Sequence, residues 1–186
     1  MLRKFGGPAA AALIYISAGV SANGQSPAEV TSTIDWDAAK ADAENIAPAQ
    51  KESLNSFRAA NAVGVDAINV PVLVPGIGPV RAGPRLRGQG ASYAAVYMLN
   101  AAKLSVLGTA RALVPPSPER FASAAASSDG RVFEQGEDGA DLSFIKYGAS
   151  YILRLSCAKL DDERCIKDSF LNSVADSLVP VGGSKP

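Results

Sequence analysis

The chain has 186 residues, 47% of them hydrophobic, with 18 basic and 18 acidic residues and no histidine. So balanced a charge does not support binding to nucleic acid or to a membrane surface through bulk charge. Without histidine, the chain has no Ser-His-Asp or Cys-His catalytic group and no histidine-ligated metal site.

The N-terminus has the order of a cleavable secretory signal. Arg3 and Lys4 supply positive charge, an apolar stretch follows over 8–20, and small residues surround Ala22. The stretch is shorter than the ~20 residues that a helix needs to cross a bilayer, and no second long apolar run follows. We therefore expect cleavage after Ala22, with Gly24 as the alternative, and a periplasmic or secreted protein whose mature form has no membrane segment. Loss of Arg3 and Lys4 leaves 16 basic and 18 acidic residues, a net charge of −2.

Composition divides the chain into three segments. Residues 1–22 are the predicted signal peptide, residues 23–66 a polar tether followed by a helical segment, and residues 67–183 an α+β domain. Within the helical segment, a run rich in alanine and charged residues predicts a short exposed helix over 35–45, and apolar residues on one face predict a second helix over 49–62.

The domain begins with an apolar, β-branched run over 68–74, in which Pro71 favours an edge strand or a strand start. The Gly- and Pro-rich residues 75–90 are typical of a loop. Strands over 93–99 and 104–111, joined by a turn, are then predicted from the alternation of apolar residues. A helix over 91–104 is the alternative, because alanine is common there.

The C-terminal third carries the clearest patterns. After a small-residue loop over 121–130 we expect a short strand over 131–133 and an acidic turn over 134–141. A strand should follow, with its core face formed by Tyr147, Ala149, Tyr151, Leu153, Leu155 and Cys157. Residues 165–178 show an amphipathic helical stripe, and residues 179–181 suggest a last strand. Together these elements predict an α+β fold: a small antiparallel sheet of short strands covered by a C-terminal helix, with a helical N-terminal segment.

Cys157 and Cys165 are the two cysteines of the chain. In an exported protein an even number of cysteines indicates a disulfide. Their spacing is too wide for a redox C-x-x-C pair, and two cysteines without histidine do not complete a usual zinc site. The sequence therefore predicts one disulfide between them.

Two patterns suggest catalytic or metal chemistry, and each has a simpler explanation. Residues 143–146 match S-x-x-K, but in a strand Ser143 and Lys146 point to opposite faces and the companion motifs are missing. The acids of the 134–141 turn resemble an oxygen-rich calcium loop, although their spacing is not that of an EF-hand, and a solvated acidic turn explains them equally well. No cofactor is predicted.

A basic stretch is the one candidate binding site. Between Asp66 and Glu119 the chain has no acidic residue, and it has three arginines in the Gly-rich stretch over 75–90: Arg81, Arg85 and Arg87. Glycine lets the backbone approach an anion, and arginine matches a carboxylate or phosphate; a solvated, soluble loop is the alternative explanation. We therefore expect a non-catalytic envelope protein that binds another protein or an anionic envelope component. The alternative is a hydrolase or lytic enzyme that uses carboxylates alone on an envelope polymer.

Overall fold

The computed structural model describes residues 28–46, 48–76, 85–114, 130–159 and 161–185. The predicted signal peptide at 1–22, Arg81 and most of the predicted loop over 121–130 lie outside these residues. The described strands are Ala28–Thr31 (β1), Val72–Pro75 (β2), Arg85–Gln89 (β3), Ser92–Leu99 (β4), Ala102–Thr109 (β5), Arg111–Val114 (β6), Val132–Gln135 (β7), Gly139–Lys146 (β8), Ala149–Cys157 (β9) and Leu178–Gly182 (β10). The described helices are Trp36–Glu44 (α1), Pro48–Val65 (α2), Glu163–Ile166 (α3) and Ser169–Ser177 (α4). The predicted α+β class is confirmed.

Six antiparallel strands form the main sheet, in the order β3-β4-β5-β9-β8-β7. Two further antiparallel ribbons pair β1 with β6 and β2 with β10. The hairpin β4–β5 confirms the strand assignment over 91–104 against the helical alternative. β1 lies within the segment over 23–66, and β3 lies within the stretch over 75–90, where the sequence predicts a loop.

The core lies on one face of the main sheet. Side chains at alternate positions of the four central strands are buried there, from Tyr93, Tyr97, Leu104, Val106, Leu142, Phe144, Tyr151, Leu153 and Leu155. The ribbon β2–β10 and helices α2 and α4 contact this side of the sheet. The inner face is therefore closed by a second layer, as expected for an α+β domain.

Two tyrosines of the sheet hold the segment that leads into β2. The backbone N–H of Leu73 donates a hydrogen bond of 2.8 Å to the hydroxyl oxygen of Tyr93. The hydroxyl of Tyr151 donates one of 2.9 Å to the carbonyl of Pro71. Gly108 makes room for both rings, because a Cβ at that position would lie 2.9 Å from the Tyr151 ring and closer still to the Tyr93 ring. Buried backbone polar groups of the second layer are thus satisfied by side chains of the first.

The predicted strand that begins near Tyr147 differs from the structure at its start. Tyr147 and Gly148 form the turn between β8 and β9, and both have positive φ, of 52° and 78°. Such values are typical of a tight two-residue hairpin turn. The predicted core face is confirmed from Ala149 to Leu155, and Cys157 continues it half-buried. Tyr147 lies in the turn, where it packs at the edge of the core and its hydroxyl donates to Asp42 of α1.

The predicted helix over 165–178 is interrupted. α3 ends before Lys167, whose backbone is extended, and α4 begins at Ser169. The acids at 161–163 do serve the start of α3: the side chain of Asp162 accepts from the backbone N–H of Arg164. Hydrogen bonds from Arg164 lower the pKa of the Asp162 carboxyl to about 2.

Cys157 and Cys165 form a disulfide, as predicted, with their Cα atoms 6.4 Å apart. It joins the end of β9 to α3. Cys165 is buried, so the bond fixes the C-terminal helices against the sheet at the point where the chain leaves it.

Candidate binding surfaces

The outer face of the main sheet carries exposed apolar and basic side chains. We call it the open face and define it by the outward residues of β3, β4, β5, β9 and β8. Its large apolar side chains are Met98, Ile152 and Ile145, which are 60%, 37% and 75% exposed. Single exposed apolar residues are ordinary, and the register places Met98 and Ile145 toward opposite ends of the face. The apolar area to be considered as a binding surface is therefore the contiguous part around Ile152.

The centre of the open face is flat, because small residues alternate with the apolar ones. Strand register places in one row across the sheet Arg87, Ala94, Leu107 and Ile152. A shallow hollow of about 490 Å³ lies over this row, flanked by Ser92, Thr109 and Ser150. Little side-chain bulk therefore stands between a partner and the apolar centre.

Two of the three arginines singled out in the sequence lie at one edge of this face. Arg85 and Arg87 are two residues apart on β3, so their side chains point to the same side of the strand, and both are exposed. Neither makes an ion pair within the described residues. The half-buried Leu86 between them points the other way, toward Gly64 of α2. A strand, rather than a Gly-rich loop, therefore positions these two arginines. Arg81 lies outside the described residues.

The basic character continues from β3 toward the middle of the sheet. Lys103 of β5 is exposed on the open face, beside Met98 in the register. Arg154 of β9 is also exposed there, but it makes a two-point ion pair with Asp141 of β8, with N–O distances of 2.9 and 2.6 Å. Of these cations on the open face, Arg85, Arg87 and Lys103 make no ion pair within the described residues.

The acidic turn lies at the opposite end of the sheet, in the hairpin β7–β8. A hollow of about 460 Å³ is lined there by Glu134, Asp138 and Asp141 together with Arg154. In the part of the chain described, no group of three or more acidic or cysteine side chains is placed to hold a metal ion. Asp141 is held by Arg154, so this hollow gives no support to the carboxylate-dependent alternative.

The S-x-x-K pattern likewise has a structural explanation. Ser143 and Lys146 belong to β8, where they face opposite sides of the sheet. Lys146 contacts the carbonyl of Leu178 at 3.4 Å and the carboxylate of Asp42 at 3.8 Å. The lysine therefore joins β8 to α1 and β10.

Sequence reasoning identified the arginines but not the apolar centre of the open face. One feature of the sequence does indicate this apolar centre: Ile152 interrupts the polar side of the otherwise regular alternation in β9. One such residue means little until the register places it beside Leu107 of β5. The pairing of β5 with β9, from Thr109 with Ser150 to Ala102 with Cys157, supplies that information across a long separation in the chain.

Within the described residues no helix is both long and apolar enough to cross a membrane. What the protein binds must therefore be inferred from its own residues, since comparison of the chain with protein-family models, curated proteins and solved structures found no match.

Proposed function

We propose that this chain is an exported, non-catalytic protein that binds an acidic protein of the envelope on its open face. The observation that carries the proposal is the flat apolar centre of that face beside Arg85 and Arg87. Arginine next to apolar side chains is enriched at protein interfaces, where it forms many of the contacts that dominate affinity.

Export is supported by two independent features. The order of charge, apolar run and small residues over 1–22 is that of a secretory signal. The disulfide between Cys157 and Cys165 suits a periplasmic or secreted protein, because cytosolic reductants keep most thiols reduced.

Site-specific crosslinking in the native envelope tests the proposal. A photo-reactive amino acid at Met98 or Ile152 should give one discrete protein adduct in the tagged full-length chain. The matched control carries the same group at Ser173, which is exposed on α4. The changes Arg85→Gln and Arg87→Gln together should remove the adduct, whereas Lys159→Gln, at another exposed cation, should not.

Adducts of the same pattern from Met98 and Ser173, or none from the open face, would show that the face is not the binding surface. An adduct that survives loss of both arginines would show that the partner is held by apolar contact alone. Capture of a polymer rather than a protein would reassign the partner's class.

A further inference from the structure

A second cavity lies away from the open face, between α1, α2 and β10. It has a volume of about 310 Å³, at the small end of the range for ligand pockets. It shares no residue with the open face. Because α2 and β10 belong to the layer that covers the inner face of the sheet, a ligand here would not compete with a partner on the open face.

The floor of this cleft is apolar. Ile46 from the connection between α1 and α2, Leu54 of α2 and Val181 of β10 form it, and all three are buried. Trp36, at the start of α1, lines it as well and is half-buried. Gly183, with φ of 102°, lets the indole lie close to the end of β10, since a Cβ there would be 3.1 Å from the ring. An apolar or aromatic group of a ligand thus has a preformed surface to contact.

The rim of the cleft is cationic. Lys40 stands one helical turn after Trp36 on α1, and Lys51 and Arg58, two turns apart on α2, face it. None of the described lining residues is acidic. Within the described chain these three cations make no ion pair, and the one polar contact among them is that of Lys51 Nζ with the carbonyl of Glu44, at 3.4 Å.

Cations gathered without counter-charges repel one another and favour an external anion. Acidic residues are available on the same helix: Asp42 is used instead in contacts with Tyr147 and Lys146. Among the described residues, therefore, the three rim cations have no ion-pair partner, and they stand next to an apolar floor.

We propose that this cleft binds an amphiphilic organic anion, an alkyl carboxylate of medium chain length, with its chain on Trp36 and its carboxylate among Lys40, Lys51 and Arg58. The small volume disfavours a two-chain lipid. The ligand class follows from the apolar floor and the cationic rim together. A neutral apolar molecule would contact only the floor, and an inorganic anion would contact only the rim.

Trp36 is the one tryptophan of the chain, so its fluorescence reports directly on this cleft. Titration of the oxidised protein with decanoate, below its micelle concentration, should shift the Trp36 emission to the blue and saturate. Binding should weaken as salt is raised, since exposed charges are screened. Decanol and decyltrimethylammonium, which keep the chain but lose or reverse the charge, are the matched ligands and should bind more weakly.

The triple change of Lys40, Lys51 and Arg58 to glutamine should weaken decanoate binding about tenfold, since each exposed ionic contact contributes a factor of roughly one and a half to five. Lys159→Gln is the control and should bind as the parent does. These cations are exposed, so the far-UV circular dichroism of the variants should not change. Calorimetric titration gives a second reading independent of the indole.

Three results would overturn the proposal. One is a Trp36 emission that does not saturate with decanoate; another is equal affinity for decanol or decyltrimethylammonium; the third is unchanged decanoate binding in the triple variant. Vesicles with anionic headgroups form a separate arm, and a response to these alone would assign the cations to a membrane surface and not to a free amphiphile.

Discussion

Three tyrosines of the inner face have similar burial but different hydrogen bonding. Tyr93 and Tyr151 each bond to the backbone near β2, whereas the hydroxyl of Tyr97 has no partner among the described residues. Tyr97 is only 2% exposed. Burial raises the pKa of Tyr93 and Tyr97 well above the ordinary value, so both remain neutral.

We expect the change of tyrosine to phenylalanine to destabilise the protein at Tyr93 but not at Tyr97. Tyr93→Phe removes the acceptor of the Leu73 N–H and should lower the free energy of unfolding by ~1–3 kcal/mol. Tyr97→Phe removes a buried hydroxyl that has no partner, so its effect should be close to zero or stabilising. Urea unfolding of both variants at one pH measures the difference. Equal losses would mean that the Leu73 bond contributes nothing specific.

The break between α3 and α4 changes which side chains of the C-terminal helices are buried and so contribute most to stability. The predicted stripe of an unbroken helix includes Ile166 and Phe170. In the structure Ile166 is 41% exposed and Phe170 is half-buried, with the Arg164 guanidinium 6.0 Å from its ring centre. Leu171, in contrast, is fully buried. Both helices contact β8 and β9, α3 through the buried Cys165 and α4 through Leu171.

Leu171→Ala should therefore lower the free energy of unfolding by ~2–5 kcal/mol, as do other fully buried leucines. Phe170→Ala should cost only about 1 kcal/mol, roughly half the transfer energy of a buried side chain. If the helix over 165–178 were unbroken and buried the Phe170 ring, Phe170→Ala would instead lower the free energy of unfolding more than Leu171→Ala does. Denaturant unfolding of the two variants decides between these, and a larger loss for Phe170→Ala would contradict the break.

The strands and helices whose pattern is local could be predicted from the sequence, and those that depend on distant pairing could not. The alternation from Ala149 to Leu155 predicts β9, and the Ala-rich run near Trp36 predicts α1. The strand at Arg85–Gln89 cannot be predicted locally, because the surrounding Gly and Pro residues over 75–90 are typical of a loop and Gly88 weakens the strand pattern. The strand forms by pairing with β4.

The candidate sites follow the same division. Arg85 and Arg87 are visible as an isolated basic stretch, but the open face on which they stand depends on the order of six strands. The cleft between α1, α2 and β10 is harder to predict from the sequence, because Lys40 and Arg58 belong to different helices. The packing of α1 and α2 against β10 brings these two residues to one rim. The number of charged residues can be counted in the sequence, whereas the structure is needed to know which charges lie near one another.

For the exported protein that we propose, one bond links the compartment to the stability of the chain: the disulfide between Cys157 and Cys165. The disulfide closes a short loop, with a sequence separation of 8, and on the chain-entropy model such a bond contributes ~2.5 kcal/mol. A typical domain is stable by only ~5–15 kcal/mol, so this is a substantial share. The compartment in which the chain folds should therefore set its stability.

We expect the chain made with residues 1–22 to be recovered from the envelope fraction cleaved after Ala22 and oxidised. The same chain made without them, in a reducing cytosol, should carry two free thiols and unfold with a free energy ~2–3 kcal/mol lower. Intact mass identifies the first residue, and alkylation under denaturing, non-reducing conditions counts the thiols. Cys157→Ala together with Cys165→Ala is the matched control, because it should make the two preparations equally stable.

Full-length protein that begins at Met1 in the cytosol would contradict export. Two alkylated thiols in correctly cleaved envelope protein would instead contradict the disulfide, so the two halves of the prediction fail separately.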